Sequence, residues 1–258
     1  MTDVSLSVST THLVLIPSYN PGNRVYETIR TARQHWNPVW VVIDGSTDDS
    51  VERLHALAAE DDGLKIVHLP VNQGKGAAVL HGIELAAKQG YTHVLTMDSD
   101  GQHPAALIPQ FMARSSELPH DMILGMPVFD ASAPSIRVKG RKISNWWANA
   151  ETLWAGIGDS LFGFRVYPIA PLRQIMRKQA WMRRFDFDPE AVVRLCWHGV
   201  KPINLPAPVQ YFNAEQDGVS HFNYLRDNVL LTWMHIRLCL EFLLRLPVLI
   251  IRRMQGRI

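Results

Sequence analysis

The chain has 258 residues, 47% of them hydrophobic, so it can bury a sizeable core as one domain with or without an appendage. Its formal net charge of +2 is too small to indicate nucleic-acid binding, and no nucleic-acid partner is expected. The two cysteines, Cys196 and Cys239, lie far apart and support neither a disulfide framework nor a zinc site. A reducing compartment fits this usage best.

Strands and helices alternate along the first 115 residues. Short apolar runs predict the strands, and stretches with apolar residues on one helical face predict the helices. The predicted strands are Leu13–Ile16, Val39–Ile43, Leu64–Leu69 and Val94–Met97, and the helices between them are Val25–Gln34, Ser50–Ala59 and Ala77–Ala87. Pro104 can open a fourth helix at its first position. This alternation predicts an α/β fold with a mostly parallel sheet and right-handed crossovers.

Polar side chains follow each of these strands. They are Asn20, Asp44, Asn72 and Asp98. Because the carboxyl ends of parallel strands meet at one edge of a sheet, we expect these side chains to share an edge. In open α/β sheets that edge is where ligands bind.

The stretch Asp98-Ser99-Asp100-Gly101 places two carboxylates one residue apart at a strand end. A divalent cation is the simplest compensation for this charge, and oxygen ligands suit Mg2+ or Mn2+. Mg2+ typically completes its shell with substrate phosphates, so the stretch predicts a metal-bound phosphate ester such as a nucleotide. The alternative is a simple turn, since Asp and Gly are common turn residues.

A glycine-rich turn, Gly74-Lys75-Gly76, precedes the third helix. It is not a P-loop, because Leu69 stands where a glycine is required and Gly76 where Ser or Thr is required. Backbone N–H groups at such a helix start could still bind an anion. A tight strand-to-helix turn explains the glycines equally well.

The second half of the chain is less regular. Asp121–Gly125 is predicted to be a strand, Met126–Pro134 a loop, and Ile136–Leu153 a helix that is first basic and then rich in tryptophan. Basic residues beside tryptophan suit a phosphate at a membrane surface. The alternative is a solvated basic face with tryptophan in the core.

Further along, Gly158–Arg165 is predicted to be a turn that enters a strand. Phe185–Glu190 places three carboxylates at a helix start, where acids often serve only the helix dipole. Val200–Pro206 and Val209–Phe212 are predicted to be extended.

The C-terminal stretch Tyr224–Ile251 is rich in large apolar residues but contains several charges. A charge at mid-bilayer costs about 2.5–3.5 kcal/mol, so a spanning helix is disfavoured. We expect an interfacial amphipathic helix with a basic end made by Arg245, Arg252, Arg253 and Arg257. A buried core helix, or an interface with a membrane-protein partner, is the alternative.

Taken together, the motifs resemble those of family 2 glycosyltransferases with the GT-A fold, and most closely the branch of dolichol-phosphate mannose synthase. Six motifs in the family's order support this resemblance. They are Ile16–Asn20, Asp44–Asp48, Asn72–Ala78, Asp98–Pro104, Gly163–Arg165, and Phe187–Glu190 followed by Gly199 and Leu205-Pro206. The resemblance implies a Rossmann-like, mostly parallel sheet flanked by helices, over residues 12–222. Residues 1–11, which lack a signal-peptide pattern, would be a disordered lead-in, and residues 223–258 a membrane-associated helical segment.

The resemblance also implies roles for individual residues. Asp98 and Asp100 match the metal-binding acids of the family, with Gln102 joining them. Asp44 matches the residue that contacts the nucleotide base, and Pro17 and Tyr19 match the nucleotide pocket. Asn20, Lys75 and Asp98 are further predicted donor-binding residues, and Arg165 matches an arginine near the phosphates.

Two departures from the family pattern concern the base contact and the acceptor. The family usually has two acids before Gly45-Ser46, and here the first is Ile43. The lipid-phosphate branch usually carries an arginine after the strand near Gly125, which is absent here. Arg137 and Arg141 are the remaining candidates to bind an acceptor phosphate.

The predicted reaction is an inverting transfer of a sugar from a UDP- or GDP-linked donor to a lipid acceptor. An ionised phosphate acceptor needs no base, whereas a hydroxyl acceptor requires one, and Asp188, Asp186 and Glu190 are the candidates. The predicted location is the cytoplasmic face of the membrane. A nucleotidyltransferase is the alternative enzyme, although Ser18–Asn20 stands where its glycine-rich loop belongs. A non-catalytic membrane-associated partner is the third hypothesis, and the intact acid pair argues against it.

Overall fold

A computed structural model describes residues 6–129, 135–210 and 224–256 of the chain. Seven strands form one sheet with the spatial order β3-β2-β1-β4-β6-β5-β7. They are β1 (His12–Ser18), β2 (Val39–Asp44), β3 (Leu64–Leu69), β4 (His93–Thr96), β5 (Met122–Val128), β6 (Arg165–Pro168) and β7 (Pro202–Pro208). Only β6 runs antiparallel to its neighbours, β4 and β5.

Eight helices surround this sheet in the described part of the chain. They are α1 (Arg24–His35), α2 (Ser50–Ala59), α3 (Lys75–Lys88), α4 (Ile108–Glu117), α5 (Ser135–Ala150), α6 (Ile169–Lys178), α7 (Phe187–Trp197) and α8 (Tyr224–Met254). The predicted α/β fold, with a mostly parallel sheet flanked by helices and a C-terminal helix, is confirmed.

Side chains of each central strand alternate between two cores, one on each face of the sheet. In β1, Leu13 and Leu15 pack into the core that α3, α6 and α7 cover. Val14 and Ile16 pack into the opposite core with residues of α1 and α4. Both faces of β1 are therefore buried, which explains why its sequence is apolar without alternation.

Several predicted boundaries were wrong. Met126–Val128 continue β5 instead of forming a loop, because they pair with Pro206–Pro208 of β7. The helix predicted to reach Leu153 ends at Ala150, since Leu153 has a left-handed backbone (φ 54°). Pro104 is extended and precedes a short 3₁₀ turn, so α4 begins only at Ile108.

Other predictions fall partly or wholly outside the described residues. They concern residues 1–5 of the lead-in, residues 130–134 of the predicted loop, residues 211–212 of the second extended piece, and Arg257. Among the described residues, no helix combines the length and apolar composition that crossing a bilayer demands.

Candidate active site

The carboxyl ends of β1, β2 and β4 meet at one edge of the sheet, beside the start of α3. At the end of β2, the Asp44 carboxylate accepts hydrogen bonds from the backbone N–H groups of Gln73 (2.9 Å) and Gly74 (2.7 Å). Gly45 has φ +65°, and a Cβ there would lie 2.3 Å from the Asn72 nitrogen. Asp44, which is 2% exposed, therefore anchors the glycine-rich turn to β2. Its contact with a nucleotide base stays a prediction.

The loop after β1 is tied to the loop after β2. The Asn20 backbone N–H donates to Ser46 Oγ (3.0 Å), and the Asn20 side-chain oxygen accepts from the Thr47 backbone N–H (2.8 Å). Pro17 is buried within β1, and Tyr19 is half-buried at its end. The three residues predicted to bind the donor thus adjoin the Asp44 turn.

Lys75 joins two carboxylates that come from different parts of the chain. Its ammonium lies 2.7 Å from Asp98 Oδ1, after β4, and 2.7 Å from Asp188 Oδ2, in the first turn of α7. Burial works to lower the pKa of the Lys75 ammonium, but Asp188 and Asp98 raise it above its usual value. Burial likewise opposes ionisation of Asp98, but the adjacent Lys75 lowers the pKa of Asp98 to about 2. At neutral pH this centre contains one ammonium and an ionised Asp98.

Space around this ammonium is tight. A Cβ on Gly163 would lie 2.7 Å from Lys75 Nζ and 3.2 Å from Asp98 Oδ2. Thr96 holds this position, because its hydroxyl donates to the Gly163 carbonyl oxygen (2.8 Å). The glycine of the predicted turn is therefore needed for the close approach of the backbone to the charged groups.

Asp100 has a different environment from Asp98. Burial and the neighbouring Asp98 charge raise the pKa of Asp100 to about 6, and its carboxylate accepts a hydrogen bond from the Gln102 backbone N–H (3.0 Å). Two acids therefore crowd one strand end, and Lys75 forms an ion pair only with Asp98 among them.

A divalent cation fits this charge balance and the oxygen donors. The described residues contain no group of three or more His, Cys, Asp or Glu side chains that could hold a metal. A cation at Asp98 and Asp100 would therefore take its remaining ligands from Gln102, water or substrate phosphate, as Mg2+ often does.

His103 supports Asp98 in a way that the sequence did not reveal. Its Nδ1 accepts a hydrogen bond from the Asp98 backbone N–H (3.0 Å), so the ring proton lies on Nε2, which faces Asp98 Oδ2 at 3.6 Å. The ring packs edge-on against Phe162, and burial lowers the pKa of His103 to about 4. The imidazole is thus neutral and fixes the turn. A histidine five residues after the first acid of the motif was the available signal.

Arg165 lies behind the site and is 0% exposed. One terminal nitrogen of its guanidinium donates to the Tyr167 hydroxyl (2.9 Å) and the Asp188 carbonyl oxygen (2.6 Å). The other donates to the Asp159 carbonyl oxygen (3.2 Å). These partners make Arg165 a support for the start of α7, while the predicted contact with phosphates stays a prediction.

The structure separates the three candidate acids near the start of α7. Asp186 accepts hydrogen bonds from the backbone N–H groups of Met182 (3.1 Å) and Arg184 (3.0 Å), so it shapes the preceding loop. Glu190 faces Arg237 of α8. Only Asp188 joins Lys75, and its Oδ1 is buried without a hydrogen-bond partner among the described residues.

Arg141 is brought toward this region but is engaged with the protein. Its guanidinium lies 2.7 Å from Asp159, a buried acid that also accepts from the Phe162 backbone N–H (2.7 Å). Arg141 also lies over the Phe129 ring (5.7 Å). The Arg137 side chain is outside the described residues.

Comparisons with known proteins identify the family of this chain. The model of the family described as "Glycosyl transferase family 2" matches residues 13–179. The polyprenol monophosphomannose synthase of Mycolicibacterium smegmatis is 25% identical over 223 residues, covering 81% of this chain and 79% of that protein. The undecaprenyl-phosphate 4-deoxy-4-formamido-L-arabinose transferase of Pseudomonas fluorescens is 32% identical over 117 residues, or 43% of this chain and 33% of that protein.

A solved structure shares the fold. It is the glucosyl-3-phosphoglycerate synthase of Mycobacterium tuberculosis, in complex with Mn2+, UDP-glucose and phosphoglyceric acid. The TM-score is 0.62 at 16% sequence identity, over 91% of this chain and 80% of that one. This likeness confirms the predicted GT-A fold.

Proposed function

The chain belongs to glycosyl transferase family 2, and from that premise we propose that it moves a sugar from a UDP- or GDP-linked donor to a lipid-linked acceptor at a membrane surface. Family membership favours sugar transfer over nucleotidyl transfer and over a non-catalytic role. The observation that supports the site most directly is the Asp98–Lys75–Asp188 arrangement beside Asp100.

Mg2+ or Mn2+ is the proposed cofactor, held by Asp98, Asp100 and Gln102. When bound, the cation would offset the charge of the departing nucleoside diphosphate. The crowding of two acids at one strand end supports this role, because Lys75 forms an ion pair with Asp98 but not with Asp100 among the described residues. His103 keeps the first acid in place through the Asp98 backbone.

Asp188 is the proposed base if the acceptor is a hydroxyl. Its Oδ2 is paired with Lys75, whereas its Oδ1 has no partner among the described residues and is left to accept a proton. If the acceptor is a phosphate, no base is needed, and Asp188 then serves to hold Lys75 against Asp98. Arg141 is the proposed acceptor-phosphate ligand, and Asp159 holds it beside the site.

A lipid acceptor is supported by the unusual orientation of α8. Three polar side chains of this helix face the protein, where His235 contacts Glu151, Arg237 pairs with Glu190, and Glu241 pairs with Arg194. Many apolar residues of α8 face outward instead, and the large exposed ones are Leu225, Val229, Trp233, Ile236, Leu240, Leu243, Leu244, Val248, Ile250, Ile251 and Met254. In a helix packed only by the hydrophobic effect the two faces would be reversed.

This outward apolar face of α8 is the proposed membrane-docking surface. Trp146 and Trp147 of α5, and Trp154 shortly after it, are exposed, and tryptophan favours the lipid headgroup region. Helix α5 contacts α8 where Ser144 Oγ lies 3.2 Å from His235 Nε2. Exposed Lys139 and Lys142 on α5 could meet anionic lipid.

One detail of the predicted interfacial helix changes, and it concerns the basic end. Arg252 and Arg253 donate to the backbone carbonyls of Trp197 and Leu153, so they secure the helix end to the protein. On the side of α8 that faces the protein, Leu238 is 0% exposed and belongs to the core.

The test of the transfer reaction is product analysis. Purified protein is incubated with UDP- and GDP-sugars, Mg2+ or Mn2+, and either a polyprenyl phosphate or a soluble phosphorylated acceptor. We expect a lipid-linked sugar from one donor, and none from the Asp100→Asn variant. Transfer only to the soluble acceptor would overturn the lipid assignment.

The docking surface is tested by liposome flotation. The variant Leu240→Glu/Leu244→Glu changes two exposed residues of α8. The control is Val8→Glu, which changes an exposed residue that precedes the first residue of β1. We expect the wild type and the control to float with anionic vesicles, and the α8 variant to remain at the bottom. Equal flotation of all three would contradict this surface.

A further inference from the structure

Helix α8 is fastened to α7 by a buried network of four charges. Glu190 and Arg194 belong to α7, and Arg237 and Glu241 belong to α8. Arg194 Nε lies 2.7 Å from Glu190, and its two terminal nitrogens lie 2.8 and 2.6 Å from the Glu241 oxygens. Arg237 donates to both oxygens of Glu190, at 3.3 and 3.0 Å. Two positive and two negative charges balance within this group, and Arg245 approaches Glu241 from the exposed side at 3.6 Å.

Glu190 is the link between this network and the candidate active site. It lies in the first turn of α7, two residues after Asp188, and its side chain is 0% exposed. A buried carboxylate without water depends on its paired cations, so the two-pronged Arg237 contact constrains the position of this turn.

The same turn is held on its other side by the sheet. Arg165 of β6 donates to the Asp188 carbonyl oxygen (2.6 Å), and Lys75 of α3 holds the Asp188 carboxylate (2.7 Å). The first turn of α7 is therefore held at two places. Arg165 and Lys75 hold it at Asp188, and Arg237 of α8 holds it at Glu190.

Arg237 also contacts the loop that precedes α7. Its guanidinium lies over the Trp181 ring, 4.3 Å from the centroid. One residue later in this loop, the Met182 carbonyl oxygen would lie 2.1 Å from a Cβ on Gly76, and the Arg183 carbonyl oxygen accepts from the Ala77 backbone N–H (3.0 Å). The loop thus packs directly on the start of α3, where Lys75 is located.

From these contacts we infer that Arg237 is a positioning residue for the transfer reaction. Through Glu190 and Trp181 it sets where Asp188 lies relative to Lys75 and Asp98. Helix α8 would then be part of the catalytic apparatus as well as a docking element. This inference rests on the proposed function, because it assigns Asp188 a part in the transfer.

The first experiment measures position without requiring activity. Hydrogen exchange is followed at the amides of Phe187, Asp188, Glu190 and Ala191 in Arg237→Met and in the control Arg245→Met. Arg245 is on the same helix but pairs only with Glu241 (3.6 Å) and the Trp197 ring among described groups. We expect exchange in this turn to rise about tenfold or more in Arg237→Met and to stay at the wild-type rate in the control. Unchanged exchange in Arg237→Met would overturn the inference.

The second experiment measures coupling with Asp188. In the wild-type background, Arg237→Met should lower kcat about tenfold or more and leave the KM for the donor within about twofold. In an Asp188→Asn background the same change should have little further effect, because the residue through which it acts is already lost. Equal, additive losses in both backgrounds would show a merely structural role and would overturn the inference.

Two further variants address a failure to fold. Arg237→Lys keeps the positive charge but loses the planar guanidinium that donates to both oxygens of Glu190. Its kcat should lie between those of the wild type and Arg237→Met. Arg237→Met/Glu190→Met removes both partners of this ion pair and leaves Arg194 paired with Glu241, yet kcat should remain low. Wild-type kcat in this double variant would overturn the inference. If the wild type transfers no sugar to any acceptor, the proposed function fails, whereas the exchange experiment still decides whether Arg237 positions the turn.

Discussion

Replacing Arg165 with lysine separates two roles for this residue. The family resemblance implies contact with the donor phosphates, whereas the structure shows a fully buried guanidinium with three hydrogen bonds to Tyr167, Asp188 and Asp159. A lysine ammonium keeps the charge but cannot reproduce a planar fork that reaches three separate oxygens. We expect at least two of the three hydrogen bonds to be lost.

The magnitude follows from these contacts. A hydrogen bond from a charged donor contributes about 1.5–3 kcal/mol, so losing two lowers the free energy of unfolding by about 3–6 kcal/mol. This is a large share of the typical total of about 5–15 kcal/mol. The urea midpoint should fall by about 1–3 M, given an m-value of about 2–3 kcal/mol/M.

The assay combines urea unfolding with the transfer rate. Arg165→Lys should lose both stability and kcat, because Asp188 loses the donor that holds its carbonyl oxygen. Arg114→Lys is the matched control, since Arg114 forms only a surface pair with Glu117 and the change should cost about 0.5 kcal/mol or less. A collapse of kcat with an unchanged urea midpoint would refute this reasoning and would indicate direct contact with the substrate.

Three further predictions concern the metal pair, the tight turn and the distant edge of the sheet. Asp100→Asn should abolish metal-dependent nucleotide binding, measured by calorimetry, and retained binding would contradict the metal assignment. The midpoint of thermal unfolding should not fall, because the change removes a negative charge that lies beside Asp98. Gly163→Ala should reduce transfer strongly, since its Cβ would meet the Lys75 ammonium. Gly140→Ala is the control and should leave transfer unchanged, because among the described residues the added Cβ has no neighbour within 4 Å outside its own stretch of helix; equal rates in the two variants would speak against the tight site. Burial and a neighbouring histidine lower the pKa of His12 to about 4, so the unfolded state binds more protons between about pH 6.5 and pH 4 and stability falls as pH drops through that window. Because of His12 alone, the free energy of unfolding measured with urea should fall by about 2 kcal/mol between pH 7 and pH 5. The variant His12→Gln should show a smaller fall over this range, and an unchanged fall would refute the role of His12.

The elements of the first half were predictable because their signals are local. The helix Ser50–Ala59 and the strand Leu64–Leu69 were predicted to the residue. Apolar periodicity, glycine turns and strand-end polar residues depend on neighbours within a few positions, and the parallel sheet then follows from the alternation of strand and helix. The same logic placed Asp98 and Asp100 at the carboxyl end of a central strand.

Wrong boundaries came from pairing between distant strands. Met126–Val128 contain a methionine and a proline and gave no strand signal, yet β7 provides partners for them some 80 residues later. Propensity is a weak guide where a neighbouring strand supplies the hydrogen bonds.

The amino-acid sequence by itself was enough to predict the family resemblance, the α/β architecture and the position of the acid pair at the end of β4. Only the tertiary structure separated Asp188 from Asp186 and Glu190, because three acids within five residues differ in their partners and not in their local pattern. It also turned Arg237 and Glu241 of α8 toward the protein and left leucines such as Leu240 and Leu244 exposed. That orientation depends on ion pairs between residues about 47 positions apart, such as Arg194 with Glu241, which no periodicity within the helix can encode.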